Sequence, residues 1–169
     1  MGPSRALIYP DPMEMNVLPK KIMQQFEWSN AVRTIWTDGR KPLMDVDQPR
    51  WWGYSTGRWD GDTFIVTTTG VDDRTWVDHF GYPHSTDMVL EERYRRIAYD
   101  VLELNMTITD PKIYTGPWKS QTKKFRKIED GTIKTVDGWS GFMEDVCAPI
   151  DEVDQFDKRI RDPAGGVIH

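Results

Sequence analysis

Met88-Val89-Leu90-Glu91-Glu92-Arg93-Tyr94-Arg95-Arg96-Ile97, the link Ala98-Tyr99-Asp100, and Val101-Leu102-Glu103-Leu104-Asn105-Met106-Thr107-Ile108-Thr109 decide the fold. In the second run Leu102, Leu104, Met106 and Ile108 alternate with Glu103, Asn105, Thr107 and Thr109. Period two is the mark of a strand with one buried face. The first run carries the same alternation, so the two predict an antiparallel hairpin. Its charges then pose a question, because Glu92, Tyr94 and Arg96 share one face while Glu91, Arg93 and Arg95 share the other. Met88 and Leu90 fall in phase with Glu92 and Tyr94, so that phase is the inward one. A charge turned inward is costly unless it is paired or faces a ligand.

The same pattern extends in both directions. Thr63-Phe64-Ile65-Val66-Thr67-Thr68 follows Asp60-Gly61, and Tyr54 to Trp59 precedes it, which predicts a second hairpin. Lys21 to Trp28 and Ala31 to Thr37 meet at Ser29-Asn30, and Lys119 to Ile128 and Thr132 to Val136 flank Asp130-Gly131. Trp139 to Cys147 reads as a closing strand. No segment carries an apolar stripe of helical length; the nearest, Ile150 to Ile160, amounts to a short helix at most. The expected fold is all-β: an antiparallel up-and-down barrel of about eight to nine strands, closed so that its edges are hidden. A β-sandwich is the alternative, since alternation does not separate the two.

Residues 1–20 carry four prolines and read as an extended N-terminal arm. Residues 21–147 form the single barrel domain, and 148–169 a C-terminal tail that frays or wraps a partner subunit. Gly70 to Ser85 is long for a connection in a compact β domain, and its aromatics and Val77 need somewhere to pack. It is expected to be an ordered lid or pocket wall.

Composition narrows the function. The chain has 169 residues, with 22 Lys and Arg against 27 Asp and Glu. A net charge of −5 argues against a general nucleic-acid binder, which needs a positive excess to displace counterions. No apolar run approaches the ~18 residues of a membrane span, so no membrane role is expected. No leader is visible, which points to the cytoplasm; a truncated start would leave the periplasm open. The single cysteine, Cys147, forms no intrachain disulfide, and no Cys/His zinc spacing occurs. No glycine-rich phosphate loop opens a helix, so no nucleotide cofactor is expected, and no metal. Aromatic residues make up 12% of the chain, enough to line a cavity for one small apolar ligand.

Thr37-Asp38-Gly39-Arg40, Gly57-Arg58-Trp59-Asp60-Gly61-Asp62-Thr63, Thr75-Trp76, Asp78, Pro83-His84-Ser85, Glu92-Arg93-Tyr94-Arg95-Arg96, Tyr114-Thr115 and Pro117-Trp118 form one combined pattern. It resembles a large, mostly uncharacterised family of small bacterial proteins, over roughly residues 30 to 147. Position 72 is Asp where that pattern has Asn, and position 60 is Asp where Glu is common. The resemblance implies a calycin-like β-barrel. A more distant one, carried by no single motif, is to cofactor-independent lyases of lignin-derived aromatic dimers.

Candidate chemistry gathers in the long loop. His84 titrates near neutrality and suits a general acid or base. Asp72, Asp73 and Asp78 are close enough in sequence to orient it, and His79 adjoins Asp78. On the plainer reading His84 only hydrogen-bonds the loop. Tyr94 completes the catalytic candidates, His84, Asp78, Asp73 and His79 being the others. Arg58, Tyr54, Trp76, Glu92, Tyr114, Trp118 and Trp36 are the candidate substrate-binding residues, because phenols, guanidinium and aromatic faces hold an aromatic substrate and its oxygen. The expected function is a cofactor-free acid–base enzyme of the lyase, isomerase, dehydratase or cyclase class. Its substrate would be a hydrophobic, aromatic or polycyclic molecule, and its state a homo-oligomer (dimer or trimer). The alternative is a non-catalytic binding barrel.

Overall fold

The computed structural model describes residues 2–9, 11–128 and 142. Its strands are β1 (Met13–Leu18), β2 (Lys21–Phe26), β3 (Val32–Trp36), β4 (Tyr54–Asp60), β5 (Thr63–Thr69), β6 (Val89–Ala98), β7 (Val101–Thr109), β8 (Trp118–Lys119) and β9 (Lys123–Arg126). They form one sheet in chain order, with β8 and β9 both on β7. The sheet curls strongly into a half-barrel, so the chain is all-β and barrel-like. Its curvature has a direct measure: side chains of β3 and β6 meet at 2.8 Å although β4 and β5 lie between them in the sheet.

The hairpins form where turn chemistry and alternation predict them. Asp60 pairs with Thr63, leaving Gly61 (φ +60) and Asp62 as the turn. Ala98 pairs with Val101, after a register shift between Arg96 and Ala98. The turn between antiparallel β2 and β3 is short and helical, Trp28–Asn30. The run from Lys119 is split: Ser120 leaves the strand and hydrogen-bonds Met106 through both its N–H and its hydroxyl, and β9 resumes on β7 further along. The expected strand Thr132 to Val136, the closing strand Trp139 to Cys147, the short helix Ile150 to Ile160 and the tail 148–169 lie outside the described residues, Phe142 apart.

Two expectations are corrected. The sheet is not a pure up-and-down meander, because β3 and β4 are parallel, pairing Ile35 with Ser55 and Trp36 with Thr56. A parallel pair needs a crossover of about a dozen residues or more, and residues 37–53 supply it. Nor is the N-terminal segment an extended arm: Pro3–Ile8 is a helix, α1, and Met13–Leu18 is strand β1. Its prolines mislead because the three described ones stand outside the strand and the helix interior. Pro3 is at the start of α1, where its missing N–H is harmless, Pro12 lies between α1 and β1, and Pro19 follows β1. A helix of six residues is too short to show a stripe and owes its existence to packing. Ala6 and Leu7 enter the core, and Ser4 Oγ donates to the Val77 carbonyl at 2.8 Å. Thus α1 ties one side of the core to the long loop.

The core is apolar and aromatic: Ile22, Phe26, Ile35, Phe64, Leu90, Leu104, Met106 and Ile108 are each at most 6% exposed. Gly57 is what lets the Phe64 ring lie across β4, since any Cβ there would strike that ring.

Candidate functional site

The inward row of β6 is Leu90, Glu92 and Tyr94, with Met88 just before it; Arg93 and Arg95 face out. The inward rows of β2 and β3 are Ile22, Gln24, Phe26 and Arg33, Ile35. Gln24 and Arg33 are register partners, so their side chains stand together on the concave face. The curl of the sheet then carries Arg33 to Glu92.

The resulting cluster is almost sealed from water: Gln24 and Glu92 are 0%, Arg33 2% and Tyr94 3% exposed. Arg33 grips Glu92 in a fork, Nη1 to Oε1 and Nη2 to Oε2, both at 2.8 Å. Nη2 also donates to Gln24 Oε1 at 2.6 Å, and the Tyr94 hydroxyl donates to Glu92 Oε2 at 2.7 Å. The Gln24 amide donates to poorer partners, Met13 Sδ at 3.1 Å and the Tyr94 oxygen at 3.4 Å. Arg33 Nε is buried without any hydrogen-bond partner.

Electrostatics fix the protonation states of Arg33 and Tyr94. Burial works against the Arg33 charge, but the attraction and hydrogen bonds of Glu92 outweigh it and hold the guanidinium above its ordinary range. Burial, and then the Glu92 charge, push the Tyr94 phenol well above its ordinary range. Tyr94 is therefore a neutral donor at any physiological pH. The cluster as a whole carries one positive and one negative charge at bonding distance.

The long loop holds a second buried polar group, built differently. His84 is 3% exposed, with Nδ1 2.9 Å from the Ser85 carbonyl oxygen and Nε2 2.7 Å from Thr75 Oγ1. A carbonyl only accepts, which assigns a proton to Nδ1, while Nε2 shares its hydrogen bond with the Thr75 hydroxyl. Both ring nitrogens are spent inside the loop. The carboxylates expected to orient His84 are spent elsewhere. Asp72 is clasped by Arg74 Nε and Nη2 at 2.8 and 2.6 Å, and those hydrogen bonds hold its carboxyl down at about 2. Asp78 accepts from the Phe80 and Tyr82 N–H groups at 3.0 and 3.3 Å, and Asp73 is exposed. Asp110, buried at 1%, anchors the loop end by accepting from Ser85 N and Oγ at 2.6 and 2.8 Å.

Of the residues picked from sequence, only Glu92 and Tyr94 meet in the interior. Arg58 is exposed on the outer face of β4, because Ser55 and Gly57 take the inward phase there. The Tyr54 hydroxyl donates to the Gln48 carbonyl at 2.9 Å, and the Tyr114 hydroxyl to that of Pro83 at 2.6 Å. Trp36 lies under the Arg40 guanidinium at 3.9 Å. Trp76 (48%) and Trp118 (40%) are largely exposed, and His79 sits at the surface beside Phe80. Arg33 and Gln24 escaped the sequence reading. The signal for them was present: an inward carboxylate demands a cation, and Arg33 is in phase with Ile35, as Gln24 is with Ile22 and Phe26.

The chain matches no protein-family model, no curated protein and no solved structure.

Proposed function

We propose that this chain binds a hydrophobic small molecule inside its half-barrel, with the cluster of Arg33, Glu92, Tyr94 and Gln24 as the polar anchor. The observation that supports it most is the unpartnered Arg33 Nε, a charged group's donor held in an apolar interior. A buried ion pair is a poor stabiliser, since well-packed apolar residues in its place are often neutral or better for stability. What a polar quartet adds to an apolar interior is a fixed, directed hydrogen bond for a guest, the usual construction of a small-molecule site. The calycin-like resemblance agrees with such a container. The test incubates the protein with a panel of bicyclic and dimeric aromatics and reads retained ligand by native mass spectrometry. Retention lost in the folded double variant Arg33→Met, Glu92→Leu supports the reading; no retention by the intact protein overturns it.

The acid–base enzyme is a second reading, and one observation favours it. Tyr94 is a phenol kept protonated by burial beside a carboxylate, the state required of a donor to a developing oxyanion. The same panel followed for product separates the two. Under the enzyme reading Tyr94→Phe loses turnover by ~100-fold or more while retaining ligand. Absence of any product from the intact protein leaves the binding reading alone.

A further inference from the structure

We infer that the ligand of this site meets Arg33 with an uncharged acceptor oxygen, the carbonyl of a ketone, ester or lactone on an apolar body, and not with a phenol or a carboxylate. The inference rests on the small-molecule reading above and narrows it to a ligand class.

Three features of the cluster carry it. The first is the identity of the unpartnered atom. Both Glu92 oxygens accept, the Tyr94 hydroxyl donates, and Gln24 Oε1 accepts from Arg33. Among the described residues the one polar atom of the quartet left without a partner is Arg33 Nε, which has no role except donor. A guest must therefore supply an acceptor. The second is charge. Arg33 is already neutralised in a two-pronged pair with Glu92 at 2.8 Å, so the quartet offers a guest no net positive charge. A carboxylate would enter an apolar interior without a counter-charge and beside Glu92, at a large desolvation cost. The third concerns hydroxyl guests. A phenol can accept from Nε, but its own proton then needs an acceptor, and the carboxylate oxygen with a lone pair to spare, Glu92 Oε1, is held in the fork by Nη1, the guanidinium nitrogen remote from Nε's own proton. A carbonyl oxygen satisfies the unpartnered donor and brings no donor of its own.

The test needs no knowledge of the natural ligand. A matched series on one ring system, 2-acetonaphthone, 2-naphthol, 2-naphthoate and naphthalene, is titrated against the full chain at pH 7.5 by equilibrium dialysis. The ketone is expected to bind tightest, ~10-fold tighter than naphthalene, as befits a hydrogen bond from a charged donor. 2-Naphthol is expected to fall between them, and 2-naphthoate below naphthalene. In Glu92→Gln, which leaves the guanidinium charge uncompensated, 2-naphthoate should overtake the ketone. A wild-type order led by the naphthol or the carboxylate overturns the inference, as does equal binding of all four, and either result leaves the small-molecule reading standing. An unchanged order in folded Glu92→Gln overturns it too. If that variant does not fold, the wild-type order alone decides. No binding of any naphthalene removes the inference and the reading together.

Discussion

The half-barrel interior and the loop from Gly70 to Ser85 each bury polar side chains, and they differ in what those side chains have left over. In the loop each buried side-chain polar atom described above is engaged locally. His84 spends both ring nitrogens on Ser85 and Thr75, Asp110 caps the loop end, and Arg74 covers Asp72. Such an arrangement satisfies backbone that the sheet cannot pair, and it makes a long connection rigid. The interior cluster satisfies no backbone at all. Its bonds run side chain to side chain, those of Arg33 to Glu92 and of Gln24 to Tyr94 between strands far apart in sequence, and one donor remains unpaired. The buried histidine of the loop thus serves its own segment, while the ion pair on the strands keeps an unpartnered donor, and the proposed site rests on that donor.

The sharpest way to break that contrast is to remove one member of the interior pair. Glu92→Leu leaves the Arg33 charge buried and unpaired, and should cost about 3–5 kcal/mol in urea unfolding. Adding Arg33→Met should recover most of that loss, because an apolar pair of similar volume fills the space. A double variant no more stable than the single one would mean the cluster is an architectural element after all, and the contrast would collapse. On the loop side, Asp110→Ala strips acceptors from Ser85 N, Ser85 Oγ and Lys112 N at once. A loss of about 1–3 kcal/mol is expected, with the ranking of the naphthalene series unchanged. A changed ranking would show that the loop is part of the site.

How far the sequence reached follows the same division. Period-two runs and Asp-Gly or Tyr-Asp turns exposed the hairpins, because adjacent antiparallel strands are a local property of the chain. The inward phase of Glu92 and Tyr94 was legible for the same reason, as Met88 and Leu90 set it. What a local pattern does not carry is pairing across the curl. Arg33 and Glu92 are separated by two strands in the sheet, and only the tertiary curvature brings them together. The parallel β3–β4 pair and the helix α1 were hidden likewise, one by a long crossover and one by its six residues. Histidine drew attention to the loop because its chemistry is versatile, yet its partners are a carbonyl and a hydroxyl, not a carboxylate. Composition shows which groups are able to react and leaves their use to the fold.

The smallest expected effect tests the loop's own electrostatics. Arg74 holds Asp72 ionised down to about 2, through its side-chain hydrogen bonds first and its backbone N–H second. A carboxyl whose folded value lies below its unfolded one, ~3.9, adds stability that is complete above that unfolded value and disappears as the pH falls through the folded one. The stability difference between the parent chain and Arg74→Ala should therefore be constant above about pH 5 and shrink steadily below pH 4. Near pH 2 the two should converge. Asp38, held to about 2 by Arg40, titrates in the same window but is common to both chains and cancels in the difference. A difference that persists unchanged at pH 2 would assign the role of Arg74 to its contact with the Trp51 ring, 5.1 Å away, instead of to its charge on Asp72. The loop would then be held on that side by packing, and its polar accounting would resemble the interior's less than its hydrogen bonds imply.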